Sequence, residues 1–201
     1  MLSFKQHLTE QSDGKGLTIF DIDETLFRTY AKVKIVKDGK VVQTLDNQQY
    51  NTYKLKPGES YDYGEFRSAE VFKNTSVPIM KMIEKAKAII KNAVAAGSKV
   101  IIVTARADFD DKKTFLDTFR RYGIDIDNVY VERSGKLGLG SSAKNKRFIF
   151  HKYLRRGEYK RVRFFDDAMS NITMFKALAK QYPETQFFAY HVQHDGSIKK
   201  V

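Results

Sequence analysis

Asp21 and Asp23 stand one residue apart where the apolar run Leu17-Thr-Ile-Phe20 ends, and Thr25 follows at the same spacing. Side chains alternate along extended backbone, so two carboxylates at this spacing share one pocket. A hard cation such as Mg²⁺ takes oxygen ligands, keeps several waters and is commonly held by one or two carboxylates together with a substrate phosphate. The competing account is a surface turn in which the Asp side chains cap nearby backbone. Downstream, Thr104-Ala105-Arg106 closes the apolar run Lys99-Val-Ile-Ile-Val103. Lys144 and Lys146 lie at the start of a helical pattern. Val162-Arg-Phe-Phe165 runs into Asp166-Asp167, with the polar Asn171 four positions beyond the second acid.

Asp21-Ile22-Asp23-Glu24-Thr25-Leu26 resembles the opening motif of the haloacid dehalogenase-like (HAD) phosphohydrolases, an Asp-x-Asp-x-Thr at the end of a first apolar strand. Three later motifs of that family have counterparts in the same order. Thr104 matches the Ser or Thr that ends the next core strand, Lys146 or Lys144 the lysine near a helix start, and Asp166-Asp167 the acidic pair. Apolar residues three, four, seven and eight positions after Lys146 put it on a buried helix face, which favours it over Lys144. The stretch Lys146 to Leu154 and the Thr-Ala-Arg triplet are also similar to the phosphatase domain of phage polynucleotide kinase–phosphatases.

The resemblance implies a Mg²⁺-dependent phosphatase. Asp21 would be the nucleophile that forms an aspartyl-phosphate, splitting one hard displacement into two easier ones. Asp23 would be the general acid and base. Thr104, Ala105 and Arg106 would bind substrate, Thr104 by a hydrogen bond to a phosphoryl oxygen and Arg106 by gripping another. Lys146, or Lys144 in its place, completes the catalytic set. Asp21 and Asp167, with Asp166 as the alternative to Asp167, would hold the metal through carboxylates, and Asp23 through its backbone carbonyl.

The formal charge of +12 implies attraction to polyanions. Much of it lies between Lys136 and Arg163, where Lys144, Lys146, Arg147, Lys152, Arg155, Arg156, Lys160, Arg161 and Arg163 crowd together. Nucleotides or nucleic-acid ends are therefore the favoured phosphorylated substrates. The rivals are a small phosphorylated metabolite, a phosphotransfer reaction at the same Asp, and a catalytically idle basic module that holds nucleic acid. The absence of cysteine excludes disulfides, thiolate nucleophiles and Cys-based zinc sites. Of the four histidines only His191 and His194 are close enough in sequence to suggest a shared ligand role. No apolar run approaches the roughly 18 residues that span a bilayer, and Met1 to Glu10 has no signal-peptide core. A cytoplasmic protein without membrane association is expected.

The elements that must position these groups alternate between strand and helix. Residues 1–16 read as a polar lead-in ending in the turn Ser12-Asp13-Gly14-Lys15-Gly16. Strands are expected at Leu17–Phe20, Lys99–Thr104, Val129–Val131, Val162–Phe165 and Gln186–Tyr190. Helices are expected from Pro78 to Gly97, around Phe115 to Tyr122, from about Lys146, and through Ile172 to Ala179. This predicts one α/β domain over residues 1–201, a doubly wound, mostly parallel five-stranded Rossmann-like sheet with ligands at the carboxyl ends of its strands. Residues 30–75 form a small β-rich insertion, the candidate cap. Asp38-Gly39 between two alternating runs signals a hairpin there. Tyr50, Tyr53, Tyr61, Tyr63 and Phe66 serve either as its core or as a stacking surface for bases.

Overall fold

The computed structural model describes residues 14–201, so most of the expected lead-in, including Ser12, Asp13 and His7, lies outside the described residues. In chain order, β1 (Lys15–Phe20) leads through a tight turn to β2 (Phe27–Arg28). The insertion follows, with β3 (Val33–Lys37), β4 (Lys40–Leu45), α1 (Asn47–Thr52), β5 (Glu59–Asp62), α2 (Gly64–Arg67) and α3 (Ala69–Thr75). The chain returns at β6 (Val77–Pro78) and continues through α4 (Met80–Ala95), β7 (Lys99–Thr104), α5 (Lys112–Arg121), β8 (Tyr130–Arg133) and α6 (Ser142–Leu154). It closes with β9 (Tyr159–Asp166), α7 (Met169–Leu178), β10 (Gln186–Val192) and β11 (Ile198–Lys200).

The central sheet has the order β11-β10-β9-β1-β7-β8, and all of its neighbours pair in parallel except β10 with β11. It thus has six strands where five were expected. The additional one arises at Asp195-Gly196-Ser197, where Gly196 at φ 77° lets the chain fold straight back on β10 as an antiparallel edge. From β1 the chain moves outward to β7 and β8, then crosses back to β9 on the other side of β1. That reversal between β1 and β9 is the topological switch point, the crevice where open α/β sheets bind ligands.

Helices cover both faces. Met82, Ile83, Ala86 and Ile90 of α4 and Phe115 and Phe119 of α5 pack with Phe20, Val100, Ile102 and Phe165 on one side. Ile149, Phe150, Tyr153 and Leu154 of α6 and Ile172, Phe175 and Leu178 of α7 pack with Leu17, Ile19, Ile101, Val103, Val162 and Phe164 on the other. The central strands are apolar on both faces because both are covered.

Two expected helix starts move. Pro78 lies in β6, paired with Phe27, and α4 begins only at Met80. A residue without an N–H is tolerated in so short a ladder. Helix α6 begins at Ser142, capped by Ser141, whose Oγ accepts from Lys144 N at 3.2 Å. Lys146 is therefore in the second turn.

Pairing of β2 with β6 makes the insertion leave and return at one point. Its three strands form a separate antiparallel sheet, β4-β3-β5. Asp38 and Gly39 both have positive φ, 51° and 74°, as a two-residue hairpin of type I′ requires. Tyr50, Tyr53, Tyr61 and Phe66 pack on buried Val33, Ile35 and Leu45. The Tyr50 and Tyr63 hydroxyls meet at 2.9 Å, and Tyr61 OH donates to the Tyr53 carbonyl at 3.0 Å. Tyr50, Tyr53 and Tyr61 belong to the small core of the insertion, while Tyr63 is exposed at its edge. No helix among the described residues is long and apolar enough to cross a membrane.

Candidate active site

The carboxyl ends of β1, β7 and β9 bring the sequence motifs together at the switch point. Asp21 follows β1, and its N–H still donates to Phe165 O on β9 at 3.0 Å. Just beyond it, Leu26 N and Phe27 N both donate to Ile22 O, at 2.9 and 3.0 Å, which turns the chain back within one loop. Glu24 takes a left-handed conformation there, φ 56°. The turn buries Thr25 fully and aims its Oγ1 at Asp167 Oδ1, 3.5 Å away.

Three carboxylates, those of Asp21, Asp166 and Asp167, place oxygens within 4.8 Å of one another. Lys146 lies among them, its ammonium 2.8 Å from Asp21 Oδ1 and 2.7 Å from Asp166 Oδ2. It is buried to 1% exposure, whereas Lys144 points to solvent from the first turn of α6. A fully buried lysine is tolerated only when paired, and the two carboxylates hold its pKa above the usual lysine value despite burial.

The two adjacent acids are in different states of engagement. Asp166 is fully buried and saturated: Oδ1 accepts from Ala168 N at 2.8 Å, Oδ2 from Lys146, and both oxygens from Asn171 Nδ2 at 3.0 Å. Asp167 is half-buried, and its carboxylate meets its own backbone N–H and the Thr25 hydroxyl at 3.5 Å. Burial first, then the Asp166 charge, push its pKa up to about 7. Asp21 is raised well above the carboxylate range by burial, with Asp166, Asp23 and Asp167 adding to the effect against Lys146. Its Oδ1 faces the Lys146 ammonium at 2.8 Å. The carboxylates of Asp21 and Asp167, hard oxygen donors close to one another, fit a hard divalent cation.

Asp23 is turned away from this cluster. Arg106 Nη2 donates to its Oδ1 at 2.7 Å and Nε reaches both oxygens at 3.1 and 3.0 Å. Burial would raise the Asp23 pKa, but the charge and hydrogen bonds of Arg106 outweigh it and hold the carboxyl below its usual value. Arg106 is itself 3% exposed and lies 4.9 Å from the Phe66 and Phe72 ring centroids, and its Nη1 donates to Phe66 O at 3.2 Å. Its fork is thus committed to Asp23 and the insertion, not held open for a phosphate oxygen. Thr104 is fully buried; its Oγ1 accepts from Arg106 N at 3.1 Å and keeps its own hydrogen to donate. Ala105 is exposed in the same loop.

Sequence reasoning missed three supports of the site. Ser134 at the end of β8 donates from both N and Oγ to Thr104 O at 2.9 Å. A Cβ on the next residue, Gly135, would fall 2.4 Å from Ala105 O, so only glycine fits against that loop. His191 Nε2 donates to Asp167 O at 2.8 Å while its Nδ1 accepts from Gln193 Nε2 at 2.9 Å. No spacing in the sequence announces any of the three; His191 reaches Asp167 because its place in β10 is opposite Asp166 in the ladder. Both ring nitrogens of His191 are thus engaged, which leaves it none for a ligand pair with His194.

The expected basic run divides. Lys146 enters the site and Lys144, Arg147 and Arg155 face solvent on α6. Arg161 and Arg163 line a cavity of about 340 Å³ with Gly16, Thr18, Asn92 and Ser98, toward the opposite ends of the strands.

No family model matches the chain, and no curated protein matches it. Among solved structures, the HAD domain of the effector protein Lem4 from Legionella pneumophila aligns with 88% of this chain and 85% of its own, at 10% identity and a TM-score of 0.45. At that level the likeness decides nothing about chemistry.

Proposed function

We propose that the chain is a Mg²⁺-dependent phosphomonoester hydrolase of the HAD type that works through an aspartyl-phosphate on Asp21, with nucleotides or nucleic-acid ends as substrates. One observation carries the reading: Asp21, Lys146, Asp166 and Asp167 meet at the switch point beside Thr104, which is the set the four sequence motifs call for. When bound, Mg²⁺ supplies positive charge that offsets repulsion between the nucleophile and an incoming phosphate dianion. Asp21 and Asp167 would hold it, because Asp166 has no oxygen to spare. The carboxylate of Asp23 is spoken for, which leaves its backbone carbonyl for that role.

In the first half-reaction a carboxylate oxygen of Asp21 attacks phosphorus and the bond to the leaving oxygen breaks. Asp23 gives that oxygen a proton. In the second half water attacks phosphorus, Asp23 takes the water proton, and the bond to Asp21 breaks to release phosphate. Arg106 holds the Asp23 carboxyl below its usual value, which suits it to the base role. The negative charge of a phosphate dianion beside it raises its proton affinity and prepares it to act as the acid. Lys146 steers Asp21 and neutralises Asp166, and the free hydrogen of Thr104 is available to a phosphoryl oxygen.

The insertion stands next to the site as its cap. Its C-terminal part is bolted down: Ala69 N donates to Asp110 Oδ1 at 2.8 Å, Asp110 N to Arg67 O at 3.0 Å, and Phe72 packs among Phe27, Phe109, Phe115 and Phe119. Phosphate release with Mg²⁺ from a chromogenic ester, mononucleotides and end-phosphorylated oligonucleotides, with Asp21→Asn as control, tests the reading. No release from any of them overturns it.

A further inference from the structure

The positive charge of this chain is not spread evenly. On α5, Lys113 and Arg120 pair with Asp117, and Arg120 also pairs with Asp127. At the end of β8, Asp108 pairs with both Arg133 and Lys136. Those four cations are held by three acids, whereas Lys112 and Arg121 of α5 have no ion pair among the described residues. Helices α6 and α7 contain no acidic residue. Lys144, Arg147 and Arg155 on α6 and Lys176 and Lys180 on and just after α7 are exposed, and none has an ion pair among the described residues. Of the exposed cations on these two helices, only Lys152 is matched, by Glu132 of β8.

These two helices lie side by side over one face of the sheet, sharing one apolar core. The charges on α6 are close enough to be felt by a neighbour. The pKa of His151 lies below the usual value, through burial first and then through Arg155 and Arg147. Between them stands Phe148, 56% exposed, four residues after Lys144 and seven before Arg155. An aromatic ring left in water on a cationic helix face is a poor arrangement for a solvated surface and a good one for a base with a free π-face. Both helices start at the site. Asp167 immediately precedes the Ala168 cap of α7, and Lys146 rises from the second turn of α6. The 13 residues of α6 extend roughly 20 Å away from it, enough to follow several backbone phosphates.

We propose that the outward face of α6 and α7 is a docking surface for a single-stranded nucleic acid, with Lys144, Arg147, Arg155, Lys176 and Lys180 on its phosphates and Phe148 stacked on a base. The surface runs to the rim of the candidate active site, so it would present a strand end to Asp21. That consequence rests on the phosphatase reading; the docking itself does not. A single strand fits better than a duplex because Phe148 needs an unstacked base and because Asp21, 6% exposed, admits only a slender end.

The test is fluorescence anisotropy with a labelled, unphosphorylated oligothymidylate, using the full chain carrying Asp21→Asn across a salt series. Binding should weaken as salt rises. Arg147→Ala with Arg155→Ala should lower affinity at least about tenfold at low salt and reduce the log–log salt slope by about 0.7 per cation removed. Phe148→Ala should cost about tenfold with the salt slope unchanged, since stacking releases no counterion. Lys113→Ala with Arg120→Ala, whose cations on α5 are paired with Asp117 and Asp127, should change little. Thermal melting of each variant separates a lost surface from a lost fold. Absence of binding at low salt, or equal losses from the α5 control, overturns the proposal. Tighter capture by phosphatidylserine vesicles than by the strand, through the same residues, overturns it in favour of a membrane surface. Binding without phosphate release would sink the phosphatase reading alone, and phosphate release without binding this proposal alone.

Discussion

Arg106 grips Asp23 through Nε and Nη2, at 2.7 Å for the shortest bond, while its remaining nitrogen Nη1 donates to Phe66 O of the insertion. One buried guanidinium therefore fixes both the Asp23 carboxylate and the edge of the insertion. Lysine keeps the charge of arginine but not the planar fork. Arg106→Lys should lower kcat about a hundredfold for esters with poor leaving groups and much less for good ones, because only the former need the proton. Arg106→Ala should also destabilise the fold by about 3 kcal/mol, leaving a partly buried carboxylate without its partner. Equal loss of kcat for good and poor leaving groups would remove Asp23 from the acid role.

Asp21→Asn should abolish turnover while the protein folds and melts at least as high as wild type without metal. The amide has nearly the same shape and is a poor nucleophile. It also removes a carboxyl whose ionised form is disfavoured by burial and by three neighbouring acids. Phosphate release at the wild-type rate would exclude the covalent route.

How far the sequence could be read depended on whether the cause was local. The parallel strands and the hairpin at Asp38-Gly39 were legible because apolar runs and turn residues act over a few neighbours. The antiparallel edge β11 was hidden because Ile198-Lys-Lys200 is too short and too charged to show periodicity, although Asp195-Gly196 was a turn signal in plain view. The engagement of Arg106 with Asp23 joins residues 83 apart, and His191 supports Asp167 across 24. No spacing rule announces either. Lys146 could be preferred to Lys144 because burial of a helix face is periodic.

The pKa of Asp167, near 7 against an ordinary 3.8, ties stability to pH in a definite direction. The folded chain binds this proton more tightly than the unfolded chain, so the contribution is present below about pH 4 and lost as pH rises through 7. In EDTA the melting temperature should therefore fall across that window, and Asp167→Asn should flatten the fall. The rise in melting temperature on adding Mg²⁺ should grow with pH as the carboxylate ionises. A Mg²⁺ effect independent of pH would mean that Asp167 does not meet the metal.

Lys146→Ala leaves the buried Asp166 and Asp21 facing each other without a cation and should cost about 3–5 kcal/mol. Lys146→Met restores the volume but not the charge, and should remain inactive even where it folds. Lys144→Ala, at an exposed position with no ion pair among the described residues, should stay within about 0.5 kcal/mol of wild type in urea denaturation.

The adjacent acids Asp166 and Asp167 should separate cleanly on substitution. Asp166 accepts from Lys146, Asn171 and the Ala168 N–H, so Asp166→Asn would turn an NH₂ group toward donors. Buried donors facing donors cost their desolvation in full, and the expected result is a large fall in melting temperature. Asp167→Asn removes a half-buried carboxylate with a single long side-chain contact, Thr25 at 3.5 Å, so the fold should hold. What should change is the Mg²⁺ concentration for half-maximal activity, which rises steeply because a charged oxygen ligand has become a neutral one. Titrating Mg²⁺ against phosphate release for both variants, beside their melting curves, distinguishes the two. A shifted Mg²⁺ requirement for Asp166→Asn with Asp167→Asn unaffected would place the metal one residue earlier and make the saturated geometry of Asp166 a feature of the metal-free chain.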